Sequence, residues 1–107
     1  VPYIDGISPL FNIECLNKIG GLDYEGNIFG YGGDVWNSLA LHRAGFPVVV
    51  DHPVTIRHIY HSTAKKVDGF LATAAEAQHK YMAVRLGDNY EEMLKQELIS
   101  CRDFRSF

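Results

Sequence analysis

Cysteine is scarce in this chain, which has only Cys15 and Cys101 among its 107 residues. Two cysteines are too few for a disulfide scaffold, and they form no paired-cysteine metal motif. A single bridge between them stays open, but a reducing compartment is the simpler expectation. We therefore expect a cytoplasmic protein.

The chain also lacks a long apolar run and a basic patch. No stretch reaches the roughly 20 apolar residues that a membrane-spanning helix needs, and residues 1–5 have neither the basic nor the apolar region of a signal peptide. Lys65 and Lys66 are the only adjacent basic pair, and the formal net charge is −3. We expect neither a membrane span nor nucleic acid as a partner.

The length of 107 residues supports one domain and one core. The hydrophobic fraction of 47% and the charged fraction of 21% are ordinary for a globular protein. The first residue is Val1 and not Met. We therefore expect residues 1–107 to be a single domain cut from a larger protein.

Apolar spacing and turn residues predict both helices and short strands. Helices are expected over 13–19, capped by Asn12, and over 34–44, 67–86 and 90–101. Strands are expected over 3–10, 46–50 and 54–58, with a glycine-rich loop over 22–33. One sheet covered by helices is the simplest way to bury these faces, so the sequence predicts an α/β fold.

The most informative feature is a run of glycines that ends at a carboxylate. Gly30, Gly32 and Gly33 surround Tyr31 and are followed by Asp34, where the pattern predicts a helix N-terminus. Glycine loses the most backbone freedom on ordering, so such a run is typical of a turn or of a loop that a ligand approaches closely. Asp34 would then face the ligand, or it would only cap the helix. The spacing alone leaves both interpretations open.

Five segments in order resemble the C-terminal half of glycosyltransferases with the GT-A fold. They are GGLD at 20–23, FGYGGDV at 29–35, SLALHRAGF at 38–46, VVVD at 48–51 and Arg57-His58. The pattern is similar to that of inverting family 2 enzymes and of the galactosyltransferase C-terminal region. The resemblance covers about residues 7–62, with 81–87 similar to the family's ending. It implies a partial GT-A-type mixed sheet with flanking helices, with 1–64 as the acceptor and catalytic part and 65–107 as a helical tail.

This resemblance implies the inverting transfer of a sugar from a nucleotide-diphosphate donor to a carbohydrate or glycoconjugate hydroxyl. Asp34 matches the base that takes the proton from the attacking hydroxyl. Residues implied on the acceptor side are Asp23, Tyr31, Gly32, Gly33 and Trp36. The rings of Tyr31 and Trp36 would offer flat faces to a pyranose. The alternatives are core packing for the two rings and a turn for Asp23.

His58 matches the family's late histidine, which completes a Mn²⁺ or Mg²⁺ site on the donor diphosphate in metal-dependent members. His61 is the alternative ligand. The simpler interpretation of His58 is a polar strand residue.

Two departures from the family pattern bear on function. Gly33 stands where the family has Glu and Trp36 where it has a later acid, so the acceptor surface is unusual. No Asp-x-Asp motif occurs, and in the family that motif holds metal and donor upstream of this region. We therefore expect an inactive fragment whose exposed apolar surface favours self-association. The alternatives are a non-catalytic carbohydrate-binding or assembly domain and a small helical interaction domain.

Overall fold

The computed structural model of the chain describes residues 1–59 and 66–101. Four helices follow one another: α1 (Ile13–Lys18), α2 (Gly33–Arg43), α3 (Phe70–Leu86) and α4 (Tyr90–Ser100). No β-strand occurs within these two ranges. The predicted α/β fold with a partial GT-A-type mixed sheet is therefore wrong. Helices are the regular secondary structure of the described part of the chain, and irregular segments connect them.

The segments predicted as strands have no neighbouring strand to pair with among the described residues. The Val1 ammonium group donates to the Val48 carbonyl at 3.0 Å, and the Ile4 amide donates to Ser38 Oγ at 2.9 Å. Residues 1–4 are thus hydrogen-bonded to α2 and to the segment 46–50 that follows α2. Val54 and Ile56 remain 66% and 60% exposed. A β-branched residue favours a strand only when its side chain packs across a sheet, which does not happen here.

The four predicted helices are confirmed. Local capping and glycine signals mark where they begin and end. The Asn12 side chain accepts a hydrogen bond from the Cys15 amide at 3.1 Å and so caps α1. Gly45 follows α2 with a φ of +93°, and Gly87 separates α3 from α4 with a φ of +91°. Both have a positive φ, which glycine adopts without the steric cost that a Cβ would bring. Phe70 begins α3 three residues after the predicted start at 67.

The core lies where α2, α3 and the first residue of α4 meet. Its buried members are Val35, Leu39, Tyr81, Met82, Leu86 and Tyr90. Burying a large apolar side chain stabilises a fold by roughly 1.5–3 kcal/mol. This packing fixes the first turn of α2, and the loop before it, against α3.

None of the helices within 1–59 and 66–101 combines the length and the apolar character that crossing a bilayer requires.

Candidate functional site

Asn27 organises the loop that leads into α2. This residue is 3% exposed. Its Nδ2 donates to the Tyr31 carbonyl at 2.6 Å, and its Oδ1 accepts from the Gly30 amide at 3.0 Å. The Gly33 amide donates to the Gly30 carbonyl at 3.0 Å. A buried side-chain amide thus satisfies backbone groups that no helix or sheet could satisfy here, and the loop takes a defined conformation.

Gly32 and Gly33 allow the loop to pack closely against its neighbours. A Cβ at Gly33 would lie 2.0 Å from the Tyr24 ring, and a Cβ at Gly32 would lie 3.2 Å from Gln78 Cγ on α3. Both glycines are buried. The close contact with Tyr24 accounts for glycine where the family pattern has Glu. The acceptor-binding role of the two glycines stays a prediction.

Asp34 lies in the first turn of α2, and its carboxylate is held by two backbone amides. Oδ2 accepts from the Gly6 amide at 2.6 Å, and Oδ1 accepts from the Val35 amide at 2.9 Å. The helix cap itself is Gly32 and not Asp34. The side chain is half-buried, and each carboxylate oxygen has acceptor capacity beyond one hydrogen bond.

The two aromatic residues predicted for the acceptor side both pack against the protein. The Tyr31 ring meets the Phe70 ring edge-on at 6.3 Å, and the Phe29 ring meets it at 5.5 Å. Trp36 packs on the core from α2. Tyr31 and Trp36 are nevertheless half-buried rather than sealed, so part of each side chain remains accessible.

Asp23 joins the glycine loop to α3 through its carboxylate. Arg85 Nη2 lies 2.7 Å from Oδ1, and Arg85 Nε lies 2.9 Å from Oδ2. Oδ1 also accepts from the Glu25 amide at 3.1 Å, as expected for a turn-forming Asp. The Arg85 side chain is 9% exposed and that of Asp23 is 43% exposed. The pair therefore lies at the edge of the core.

The backbone amide and carbonyl of Asp23 are also hydrogen-bonded to the helices. Its amide donates to Asn37 Oδ1 at 2.8 Å, and its carbonyl accepts from Asn37 Nδ2 at 3.2 Å. The Tyr81 hydroxyl donates to the same carbonyl at 2.5 Å. Asn37 is on α2 and Tyr81 is on α3, so one loop residue connects both helices.

The charges and burial of this cluster shift three pKa values. The hydrogen bond from Arg85 lowers the pKa of the Asp23 carboxyl below its ordinary value. Burial lowers the pKa of Arg85, but the hydrogen bond and the charge of Asp23 outweigh it and raise that pKa. Burial raises the pKa of Tyr81 to about 12. Each shift favours the protonation state that the observed contacts require.

Sequence reasoning missed Arg85, Tyr81 and Asn37. Tyr81 and Arg85 are four residues apart, so a shared helix face was foreseeable, and the guanidinium does lie 3.7 Å from the centre of the Tyr81 ring. Nothing in the sequence connects them with Asp23, which is 58 and 62 residues away. Only the packing of α3 against the loop brings them together.

His58 lies in an exposed stretch, and the described residues around it do not fit a metal site. Across 1–59 and 66–101, no three His, Cys, Asp or Glu residues are grouped so that they could hold an ion. His61, the alternative ligand, lies outside the described residues. A single imidazole does not make a Mn²⁺ or Mg²⁺ site.

No protein-family model matches the chain, and neither does any curated protein or solved structure. The relation to glycosyltransferases therefore depends on the five sequence segments described above.

Proposed function

We propose that this chain forms the acceptor side of an inverting sugar transferase in which Asp34 is the general base. The observation that carries the proposal is the setting of Asp34. This half-buried carboxylate directly follows a glycine turn and is oriented by the amides of Gly6 and Val35. No cation pairs with it among residues 1–59 and 66–101. A carboxylate oriented in this way can accept a proton from a bound hydroxyl.

The proposed reaction needs little from this chain besides the base and a surface for the acceptor. As the acceptor oxygen forms its bond to the anomeric carbon, the bond from that carbon to the diphosphate breaks and the configuration inverts. The hydroxyl proton passes to Asp34, which supports a rate gain of roughly 10²–10⁴-fold. The half-buried faces of Tyr31 and Trp36 are the surfaces proposed to contact the acceptor sugar. The nucleotide-sugar donor is proposed to bind outside this chain.

Asp34→Asn in the full natural protein tests the proposal. We expect transfer from a panel of nucleotide sugars to fall by about 10²-fold or more, with donor binding nearly unchanged. The amide oxygen can accept only one of the two backbone hydrogen bonds and the amide nitrogen faces the other N–H, so the thermal midpoint should fall and transfer is compared at a temperature where both proteins are folded. Asp88→Asn, at the exposed turn between α3 and α4, is the control. Wild-type turnover in the Asp34 variant would exclude this base.

The predicted metal role of His58 has its own test. If His58 contributes a ligand, His58→Ala should weaken the dependence of donor binding on added Mn²⁺ or Mg²⁺. His52→Ala, in the same exposed stretch, is the matched control. An identical metal titration for the His58 variant and the wild type would argue against ligation.

A helical interaction domain is the second candidate function. The observation that favours it is the helical fold of the described residues, together with Leu98 and Ile99 on α4, which are 46% and 66% exposed. Absence of transfer and hydrolysis of nucleotide sugars in the full natural protein would favour this candidate. Saccharide binding without transfer would instead favour a carbohydrate-binding domain.

A further inference from the structure

We infer that Arg85 on α3 is a positioning residue that holds the glycine loop, residues 22–32 before α2, in place beside Asp34. Its guanidinium contacts both oxygens of Asp23 and donates to the Glu25 carbonyl at 3.0 Å. The contacts of Arg85 with Asp23 and Glu25 are observed in the structure. Its consequence for an acceptor sugar rests on the proposed function.

The guanidinium is itself held from the side of α3. Nη1 donates to the Tyr81 carbonyl at 3.0 Å, and the group stacks over the Tyr81 ring at 3.7 Å. A planar fork held in this way presents Nε and Nη2 to a carboxylate in a fixed direction. Lysine has a point charge and no fork, so it would keep the charge but not the direction.

Arg85 binds the loop near its first residues, so its contacts restrain one end of the loop. Asp23 and Glu25 precede the loop's inner hydrogen bonds at Asn27, and the other end of the loop is the first turn of α2. Without Arg85, this end of the loop keeps Asn37, the Tyr81 hydroxyl and the Trp36 side chain as hydrogen-bond partners from the helices. The loop carries Tyr31, whereas the core side chains of α2 and α3 pack against one another. We therefore expect a local loosening that displaces the acceptor surface and leaves Asp34 in α2.

A second ion pair of the same chemistry provides a matched control. Arg43 Nη2 lies 2.8 Å from Glu97 Oε1 and joins α2 to α4, with side-chain exposures of 40% and 29%. This pair does not touch the glycine loop. Arg43→Gln therefore removes an arginine–carboxylate contact between two helices and leaves the loop fastened.

Amide hydrogen exchange in the full natural protein tests the positioning role directly. In Arg85→Gln we expect the amides of Glu25, Asn27 and Gly30 to exchange about tenfold faster, while core amides of α2 and α3 change little. Arg85→Lys should be intermediate, and Arg43→Gln should leave the loop amides unchanged. Equal acceleration in loop and core, or no acceleration in the loop, would overturn the inference.

Steady-state kinetics separate this inference from the proposed function. If the wild type transfers sugar, Arg85→Gln should raise the acceptor KM about tenfold and leave kcat and the donor KM within about twofold. A fall in kcat with an unchanged acceptor KM would contradict the inference. If the wild type transfers no sugar, the proposed function fails, and the exchange experiment alone decides whether Arg85 positions the loop.

Discussion

At the scale of single residues, a substitution at Gly33 tests whether packing against Tyr24 requires glycine at the start of α2. Its missing Cβ leaves room for the Tyr24 ring, which would otherwise lie 2.0 Å away. We expect Gly33→Ala to destabilise the fold by about 1–3 kcal/mol, because Tyr24 must move. Alanine is the better helix former by up to about 1 kcal/mol, which offsets part of this cost. Chemical denaturation measures the net change.

Removing the Tyr24 ring is the decisive control for this prediction. In a Tyr24→Ala background, Gly33→Ala should be neutral or stabilising, because only the helix preference remains. Gly6→Ala should be nearly neutral, since nothing lies within 4 Å of a Cβ there. An equal cost of Gly33→Ala with and without the Tyr24 ring would show that another contact requires the glycine.

Asp23 makes a prediction about acid stability. Its pKa is lowered in the folded state below the ordinary 3.8, chiefly by the hydrogen bond from Arg85. The stabilisation is therefore complete above the unfolded pKa of about 3.8 and is lost as the pH falls from there through the lower pKa of the folded state. Denaturant unfolding across this range should show a smaller acid-dependent loss in Asp23→Asn than in the wild type. Asp68→Asn, which alters an exposed carboxylate, should retain the wild-type slope.

At the scale of elements, helices were predictable and strands were not. Asn12 before α1, Gly45 after α2 and Gly87 after α3 are local signals that act within a few residues. The valine-rich segment 46–50 has the composition of a strand, but a strand also needs a partner at hydrogen-bonding distance. Because partners are supplied by other parts of the chain, the period of the side chains could not show that one was missing.

In the candidate site too, the features set by local signals were predictable and those set by long-range packing were not. The glycine turn and Asp34 at the start of α2 were visible in the sequence, because turn and helix-start signals are local. The cluster around Asp23 was not, because α3 provides Tyr81 and Arg85 from 58 and 62 residues away. A turn role for Asp23 was foreseen, and its Glu25 contact fits it. The connection that it makes between two helices was not foreseen.

The attachment of α3 to the loop also predicts behaviour in alkali. Burial raises the pKa of Tyr81 from 10.0 to about 12. Stability from the neutral phenol is thus complete below the unfolded pKa and is lost as the pH rises from about 10 to about 12. Tyr81→Phe should be less stable by about 1 kcal/mol at neutral pH, because the Asp23 carbonyl loses a donor. Its unfolding free energy should also fall less between these two pH values. A parallel alkaline loss in both proteins would contradict this account.

At the scale of the whole molecule, apolar side chains gather where the predicted strands have no partner. Val49, Val50, Val54, Ile56 and Ile59 are between 52% and 66% exposed. Exposed apolar side chains favour association when they form a common surface. We therefore expect the self-association predicted from the sequence to involve the segment 46–59.

Sedimentation of the chain over a range of concentrations tests that location. We expect the average mass to rise with concentration, and to rise further with added sulfate, which strengthens apolar association. Ile56→Asn combined with Val54→Asn should shift association to several-fold higher concentration, because amide groups resist burial without hydrogen-bond partners. Val84→Asn alters an 82% exposed side chain on α3, outside the segment, and should leave association unchanged. If Val84→Asn weakened association as much as the paired change, the contact surface would lie on α3 and not on the extended segment.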